Sequence, residues 1–503
     1  MSPSAVPMGD TVPLFISGEE YHPDKSFDVV SPRTGKVIHR CGNASLDDAQ
    51  SAVAAAHAAF PAWRLTRPAE RRDIFLKAAQ IMERRRSELA EYLAEETGGL
   101  EPWANFNIGV AIGMIKDVAG RISSIEGSFP ATQKADVSCI IMREPYGVVV
   151  AIAPWSVAVL LPSFQSHTTN MKPRRNAPYI LGTRAVLFPM AAGNTVVLKA
   201  TEMAPKTMWA IASVFHEAGL PKGVLNTLTH ETASGESITA ALISDRRVRK
   251  INFTGSTRVG RIIARLAGEN LKPTLLELGG KAPAIVWDDA DLDVAATQCA
   301  LGSFMHSGQI CMSTERILVH EKVRDAFVEK LKGAVDAIFP PAQEAPVLIS
   351  RVAVDKNKQL VRDAVSKGAT VLHGDVDAHG EELSDTEMRP VIIGDVTPDM
   401  DIYLTESFGP SVSLITVSTE EEAVRIANDT EYGLSSAVFT ADLRRGLRFA
   451  RQIESGAVHI NHMSVHDEPG LPHGGVKSSG FGRFGTMSGL QEWLWTKNVT
   501  FDD

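Results

Sequence analysis

Short apolar, β-branched runs alternate with helical patterns through most of this chain, and that alternation constrains its fold more than any other feature. Residues 148–153, 195–199, 224–228 and 250–254 are such runs, and 204–218 carries helical periodicity up to Gly219. Strands buried on both faces, with helices as crossovers, make a parallel sheet covered on both sides, so the chain is predicted to be α/β. A second alternating region follows Leu275, with strands expected at 284–287, 316–320, 412–417, 436–440 and 457–461. Ahead of both, residues 45–63 read as a helix capped by Ser45, with Asp48 three residues on. Residues 68–96 read as one long helix from Pro68 towards Gly98. Residues 125–147 and 493–501 read as strands outside both regions.

A chain of 503 residues is too long for one core. An apolar fraction of 44% with 22% charged residues is ordinary for a soluble globular protein. The formal charge of −9 offers no attraction to nucleic acid or an acidic membrane surface. No apolar run is long enough to span a bilayer, and the first ten residues lack a signal pattern, so a cytoplasmic protein with a disordered N-terminal tail is expected. The four cysteines show no CxxC pairing, which argues against zinc or a disulfide framework. Cys41, Cys139 and Cys299 read as buried small hydrophobes. Cys311 differs, because Ser307, Gly308 and Gln309 surround it.

Two motifs carry chemistry. Gly308-Gln309-Ile310-Cys311-Met312-Ser313-Thr314-Glu315-Arg316 presents a thiol, and Leu276-Glu277-Leu278-Gly279-Gly280-Lys281 presents a carboxylate upstream of it. A thiolate adds to an aldehyde carbon, and a carboxylate can activate water against the resulting thioester. Upstream lies Phe253-Thr254-Gly255-Ser256-Thr257-Arg258-Val259-Gly260. It lacks the GxGxxG spacing, yet Gly255 and Ser256 follow a strand and precede a helical pattern, where free backbone N–H groups can meet a pyrophosphate.

With these motifs in this order, the sequence from Leu14 to Phe501 resembles the aldehyde dehydrogenase superfamily. The resemblance implies a Rossmann-type NAD-binding domain (1–124 and 148–275), an α/β catalytic domain (276–470) and a small oligomerisation β-extension (125–147 and 487–503). It implies a homodimer or homotetramer acting on a small-molecule aldehyde, with NAD as cofactor and no metal, nucleic acid or membrane partner. Trp155, Lys199, Glu202, Gly255, Ser256, Gly279, Glu406 and Phe408 fall where the family holds the dinucleotide. A carboxylate at Glu202 accepts from ribose hydroxyls and repels a 2′-phosphate, which favours NAD over NADP. Cys311 then forms a thiohemiacetal, hydride transfer leaves a thioester, and Glu277 activates the hydrolytic water.

The family's oxyanion-holding asparagine directly follows Pro-Trp, but here Pro154-Trp155 is separated from Asn176-Ala177-Pro178 by residues 156–175. Deleting that segment restores the pattern without a gap. The segment reads as a translated intron: a split Trp155 codon followed by GT is compatible with Ser156, and a terminal AG is compatible with Arg175. The rival reading is a genuine lid or regulatory loop. If it displaces Asn176, the chain becomes a catalytically impaired binding protein, because catalytic geometry tolerates displacement poorly. A cofactor-independent thioesterase is a further alternative, against which Glu202, Glu406 and Phe408 argue.

Within the family, the Cys311 motif, Val465-His466-Asp467-Glu468-Pro469 and Asn176-Ala177-Pro178 with Ile180-Leu181-Gly182 most resemble salicylaldehyde and vanillin dehydrogenases, implying an aromatic substrate. Trp103, Phe106, Tyr179 and Met463 are the expected walls of its pocket. Arg184 is a candidate partner for a ring substituent, or else the member of a structural salt bridge. His459, His462, His466 and His473 cluster in sequence without the spacing of a metal site. His306 and His473 stand where the family usually carries an asparagine and an aromatic.

Overall fold

The computed structural model describes residues 11–155, 177–340, 345–376 and 384–502. Asn176 and the expected insertion at 156–175 lie outside the described residues.

The first alternating region forms an eight-stranded sheet. Its centre is five parallel strands in the spatial order Thr274–Glu277, Val248–Gly255, Val148–Trp155, Thr195–Lys199 and Leu225–Leu228. All five residues of Thr195–Lys199 are buried, which is why that run reads as continuously apolar apart from its ends. Successive strands run outward from Val148–Trp155 on one side, and the chain then returns to place Val248–Gly255 on the other. The strand order therefore reverses between these two neighbours, and such a reversal opens a ligand-binding crevice at the carboxyl ends. Gly255 pairs with Trp155 at that point.

The second region forms a seven-stranded sheet, all parallel except its edge strand Thr370–His373. Ala282–Val286 and Thr314–His320 lie side by side within it. The strand Thr274–Glu277 runs across the expected boundary between residues 275 and 276 and belongs to the first sheet. Glu277 is therefore delivered by one sheet, while Cys311 precedes a strand of the other. Outside both sheets, Val137–Pro145 and Leu494–Asp502 pair as an antiparallel ribbon.

Helix Leu46–Trp63 starts as its sequence suggests, with Ser45 and Asp48 capping one another reciprocally. The single helix expected over 68–96 is instead two, Pro68–Arg84 and Arg86–Thr97. Arg85 leaves helical geometry at φ −90°, ψ 12°, although the backbone hydrogen bonds on either side of it persist. Its guanidinium is held by Glu88 and by Ser213 of a neighbouring helix, a tertiary anchor that no Gly or Pro announces. Cys41, Cys139 and Cys299 are buried, and burial pushes the thiols of Cys41 and Cys299 up, so they stay protonated. Among the described residues no helix is long and apolar enough to cross a membrane.

Candidate active site

Cys311 is half-buried and sits just beyond a strained turn. His306 (φ 49°), Ser307 (φ 59°) and Gly308 (φ 67°) are consecutive left-handed residues, a conformation that costs roughly 1–2 kcal/mol per residue with a side chain. The surroundings hold it in place. Gln309 Nε2 donates to the carbonyls of His306 and Val347 at 3.2 Å each, and Gln309 Oε1 accepts from Ile349 N at 2.9 Å. Trp103 stacks on the His306 ring at 4.7 Å and 14°.

The carboxylate motif lies directly against this turn. Gly280 packs so closely that a Cβ there would overlap the Cys311 carbonyl oxygen. Glu277 is only 1% exposed. Arg184 Nη1 donates to its two oxygens at 3.2 and 3.4 Å, and His473 Nε2 contacts Oε1. Arg184 Nη2 also pairs with Asp467, whose Oδ1 lies 3.8 Å from His473 Nδ1. Burial opposes ionisation of Glu277, but the attraction of His473 and Arg184 and their hydrogen bonds outweigh it, holding the carboxyl at about 2. Asp467 is likewise lowered: burial raises it, and Arg184 and His473 more than compensate.

An open cavity of about 470 Å³ meets these groups. Cys311, Glu277, Arg184 and His473 supply its polar lining, and Trp103, Phe106 and Ile180 are among its apolar walls. Trp103 and Phe106 stack at 5.5 Å and 24°, and Phe106, 48% exposed, stands at the outer side. Two expected walls are not there. Tyr179 is buried in the core and donates to Leu89 O at 2.9 Å. Met463 packs beside Gly302, and its amide donates to Gln298. Arg184 does line the cavity, but its guanidinium is occupied by the two carboxylates.

Of the residues expected to hold a dinucleotide, Gly255 and Trp155 lie at the strand-order reversal and Lys199 ends the neighbouring strand, whereas Glu406 and Phe408 stand ahead of a strand of the other sheet. Ser256 caps helix Thr257–Glu269 by accepting from Val259 N. Lys199 ends its strand fully buried; burial pulls its ammonium down to about 7, against the opposing pull of Glu202. Glu202 is buried too, and Oε1 accepts from Thr232 Oγ1 at 3.0 Å, whereas Oε2 is buried with no hydrogen-bond partner among the described residues. That open acceptor fits a ribose hydroxyl. Trp155 ends the adjoining strand.

Glu406 Oε1 accepts from Gly280 N at 3.0 Å, and a Cβ on Gly279 would come within 3.0–3.1 Å of the Glu406 carboxylate. Phe408 follows with φ 52°. A pair that sequence reasoning missed fixes this loop. Lys281 Nζ bonds Glu315 Oε2 at 2.6 Å and Thr405 O at 2.8 Å, and Glu315 accepts from the amides of Ser407 and Phe408. Burial raises the Glu315 carboxyl, but Lys281 and the two amides hold it below its ordinary range. Both charged residues stand in the quoted motifs, and their burial was the missing signal. His473 and Asp467 were equally unassigned; a histidine where an aromatic is usual was the available hint.

The Aldehyde dehydrogenase family profile matches residues 19–168 and 176–499. The chain is 42% identical to a vanillin dehydrogenase from a Pseudomonas species over 98% of each chain. It is 39% identical to a Pseudomonas putida salicylaldehyde dehydrogenase over 95% of each. A crystal structure of a Pseudomonas putida salicylaldehyde dehydrogenase complexed with salicylaldehyde superposes with a TM-score of 0.90, at 37% identity and 98% coverage of both chains.

Proposed function

The chain belongs to the aldehyde dehydrogenase family, oxidoreductases that act on aldehydes with NAD(P), and from that premise we propose that it oxidises an aromatic aldehyde to its acid with NAD. The observation that carries this reading is the cavity that Cys311 and Glu277 both line, together with the stacked Trp103 and Phe106 rings. Flat apolar walls favour a flat ring through offset or edge contacts. The relatives named for vanillin and salicylaldehyde support the same substrate class.

Cys311 sulfur adds to the aldehyde carbon, the strained turn before it fixes the position of that residue, and its backbone N–H would stabilise the developing oxyanion. Asn176 is assigned the side-chain part of that role by the resemblance alone. The dinucleotide, when bound, supplies the hydride acceptor. Glu202 would hold the adenosine ribose through its open oxygen, with Lys199 beside it, and its charge disfavours a 2′-phosphate. Glu406 and Phe408, braced by the Lys281–Glu315 pair, would border the nicotinamide end. Glu277, ionised throughout the neutral range, then activates water against the Cys311 thioester. The paired strands Val137–Pro145 and Leu494–Asp502 carry exposed Met142, Trp495 and Phe501, which fits a role in assembling a homodimer or homotetramer.

Reduced-cofactor formation with vanillin, salicylaldehyde, benzaldehyde and an aliphatic aldehyde tests the reading, each with NAD and NADP. Faster NADH formation from the aromatic aldehydes is expected. A preference for the aliphatic aldehyde or for NADP would refute the corresponding part. The same assay on a chain lacking residues 156–175 separates the two readings of that segment. Activity only after deletion supports a translated intron, and activity in the full chain supports an accommodated loop.

A further inference from the structure

Close to Glu202 lies a buried histidine that no step of the chemistry uses. Lys199 and Leu228 pair at the carboxyl ends of adjacent parallel strands. Glu202 follows the first of these strands and His230 follows the second, so both stand on loops at the edge where such a sheet takes its ligand. Lys199 interacts electrostatically with both side chains. Thr232, just past His230, donates to Glu202 Oε1 at 3.0 Å and ties the two loops together.

His230 is fully buried. Its Nδ1 is 2.9 Å from the Glu231 carbonyl oxygen, and a carbonyl can only accept, so the ring hydrogen sits on Nδ1. Nε2 is then a bare acceptor, buried with no hydrogen-bond partner among the described residues. Burial first, and the Lys199 charge second, push the imidazole down to about 3 against the opposing effect of the Glu231 contact. The ring is therefore neutral near pH 7.

Glu202 Oε2 is a second acceptor in the same condition. Buried acceptors are normally paired, and two left open at one strand edge call for a partner that brings hydrogens. A vicinal diol brings two O–H donors, whereas an ionised phosphate ester in place of one hydroxyl brings no donor there. These residues therefore fit the adenosine ribose of a dinucleotide. A neutral imidazole also adds an acceptor without setting a second negative charge near the buried Glu202 carboxylate.

We propose that His230 is a further cofactor-binding residue, whose Nε2 accepts a hydrogen bond from one hydroxyl of the adenosine ribose while Glu202 Oε2 accepts from the other. The inference rests on the reading of Glu202 as the ribose ligand.

The test measures binding rather than turnover. Titration calorimetry gives dissociation constants for NAD and for its analogues lacking the 2′- or the 3′-hydroxyl of the adenosine ribose. The proteins are the full chain and the chain lacking residues 156–175, with His230→Leu and His230→Gln made in each of the two that binds NAD. Leucine removes the acceptor and glutamine restores one; His230→Ala replaces leucine if circular dichroism shows that leucine is not tolerated. His230→Leu is expected to weaken NAD about three- to tenfold, with His230→Gln closer to the unsubstituted protein. For one deoxy analogue that penalty should disappear, because the hydroxyl His230 binds is already gone. An equal penalty for NAD and both analogues would reduce His230 to packing and overturn the proposal, as would unchanged NAD binding in His230→Leu. NAD binding in neither unsubstituted chain would overturn the ribose site as a whole, and the role of His230 with it. The dehydrogenase reading falls separately, only if both chains also form no NADH from vanillin.

Discussion

Replacing Arg184 with methionine removes the guanidinium that lies between two carboxylates. Arg184 is 3% exposed and Glu277 is 1% exposed, so neither charge is relieved by solvent. For the 3.2 Å contact, Coulomb attraction at an effective dielectric of about 20 is about 5 kcal/mol. Breaking a buried pair by deleting one partner typically costs about 3–5 kcal/mol, because the survivor is left buried and uncompensated. Arg184→Met should therefore lower the apparent unfolding free energy by about 3–5 kcal/mol in urea titrations followed by tryptophan fluorescence. Asp467→Asn in the Arg184→Met background neutralises one orphaned carboxylate and should recover roughly half of that loss. Asp467→Asn alone leaves Arg184 paired with Glu277 and should be destabilising, so the two substitutions are strongly non-additive. Effects that sum to within about 0.5 kcal/mol would refute the coupled buried cluster.

Gly280→Ala drives a methyl into the Cys311 carbonyl and should cost about 1–3 kcal/mol of stability together with most of the aldehyde oxidation. Gly333→Ala, in helix Arg324–Ile338 with nothing within 4 Å, should instead stabilise by about 0.5–1 kcal/mol; thermal melts of the two distinguish them. Glu202→Gln should weaken NAD binding and narrow the preference over NADP, read from KM for each cofactor; an unchanged ratio would remove Glu202 from the ribose site. Glu277 has a folded-state value of about 2 against an ordinary 4.5, so its contribution to stability is complete above the unfolded value and is lost as pH falls towards 2. Glu277→Gln should therefore flatten acid unfolding in that window, as followed by fluorescence.

The alternation of apolar runs and helical patterns, read locally, already carried the centres of both parallel sheets, because burial on two faces leaves a continuous apolar signature in a few adjacent residues; the exposed ribbon showed only as strand-like segments outside both regions. The motifs around Cys311 and Glu277 were legible for a similar reason: the strained turn at 306–308 and the close approach at Gly280 demand small or unusual residues next to them. The bend at Arg85, the core position of Tyr179 and the placement of Met463 were not, since each follows from a neighbour distant in sequence. The cluster around Glu277 shows the limit most clearly. Its partners Arg184 and His473 lie 93 and 196 residues away, on segments that periodicity treats as unrelated. Sequence by itself determined the alternating α/β pattern and which residue types are available for chemistry, because those depend on local pattern and side-chain type. Tertiary structure alone decided that Glu277 stays ionised between a guanidinium and an imidazole, because only folding removes water from four charged or titratable groups and leaves them to one another.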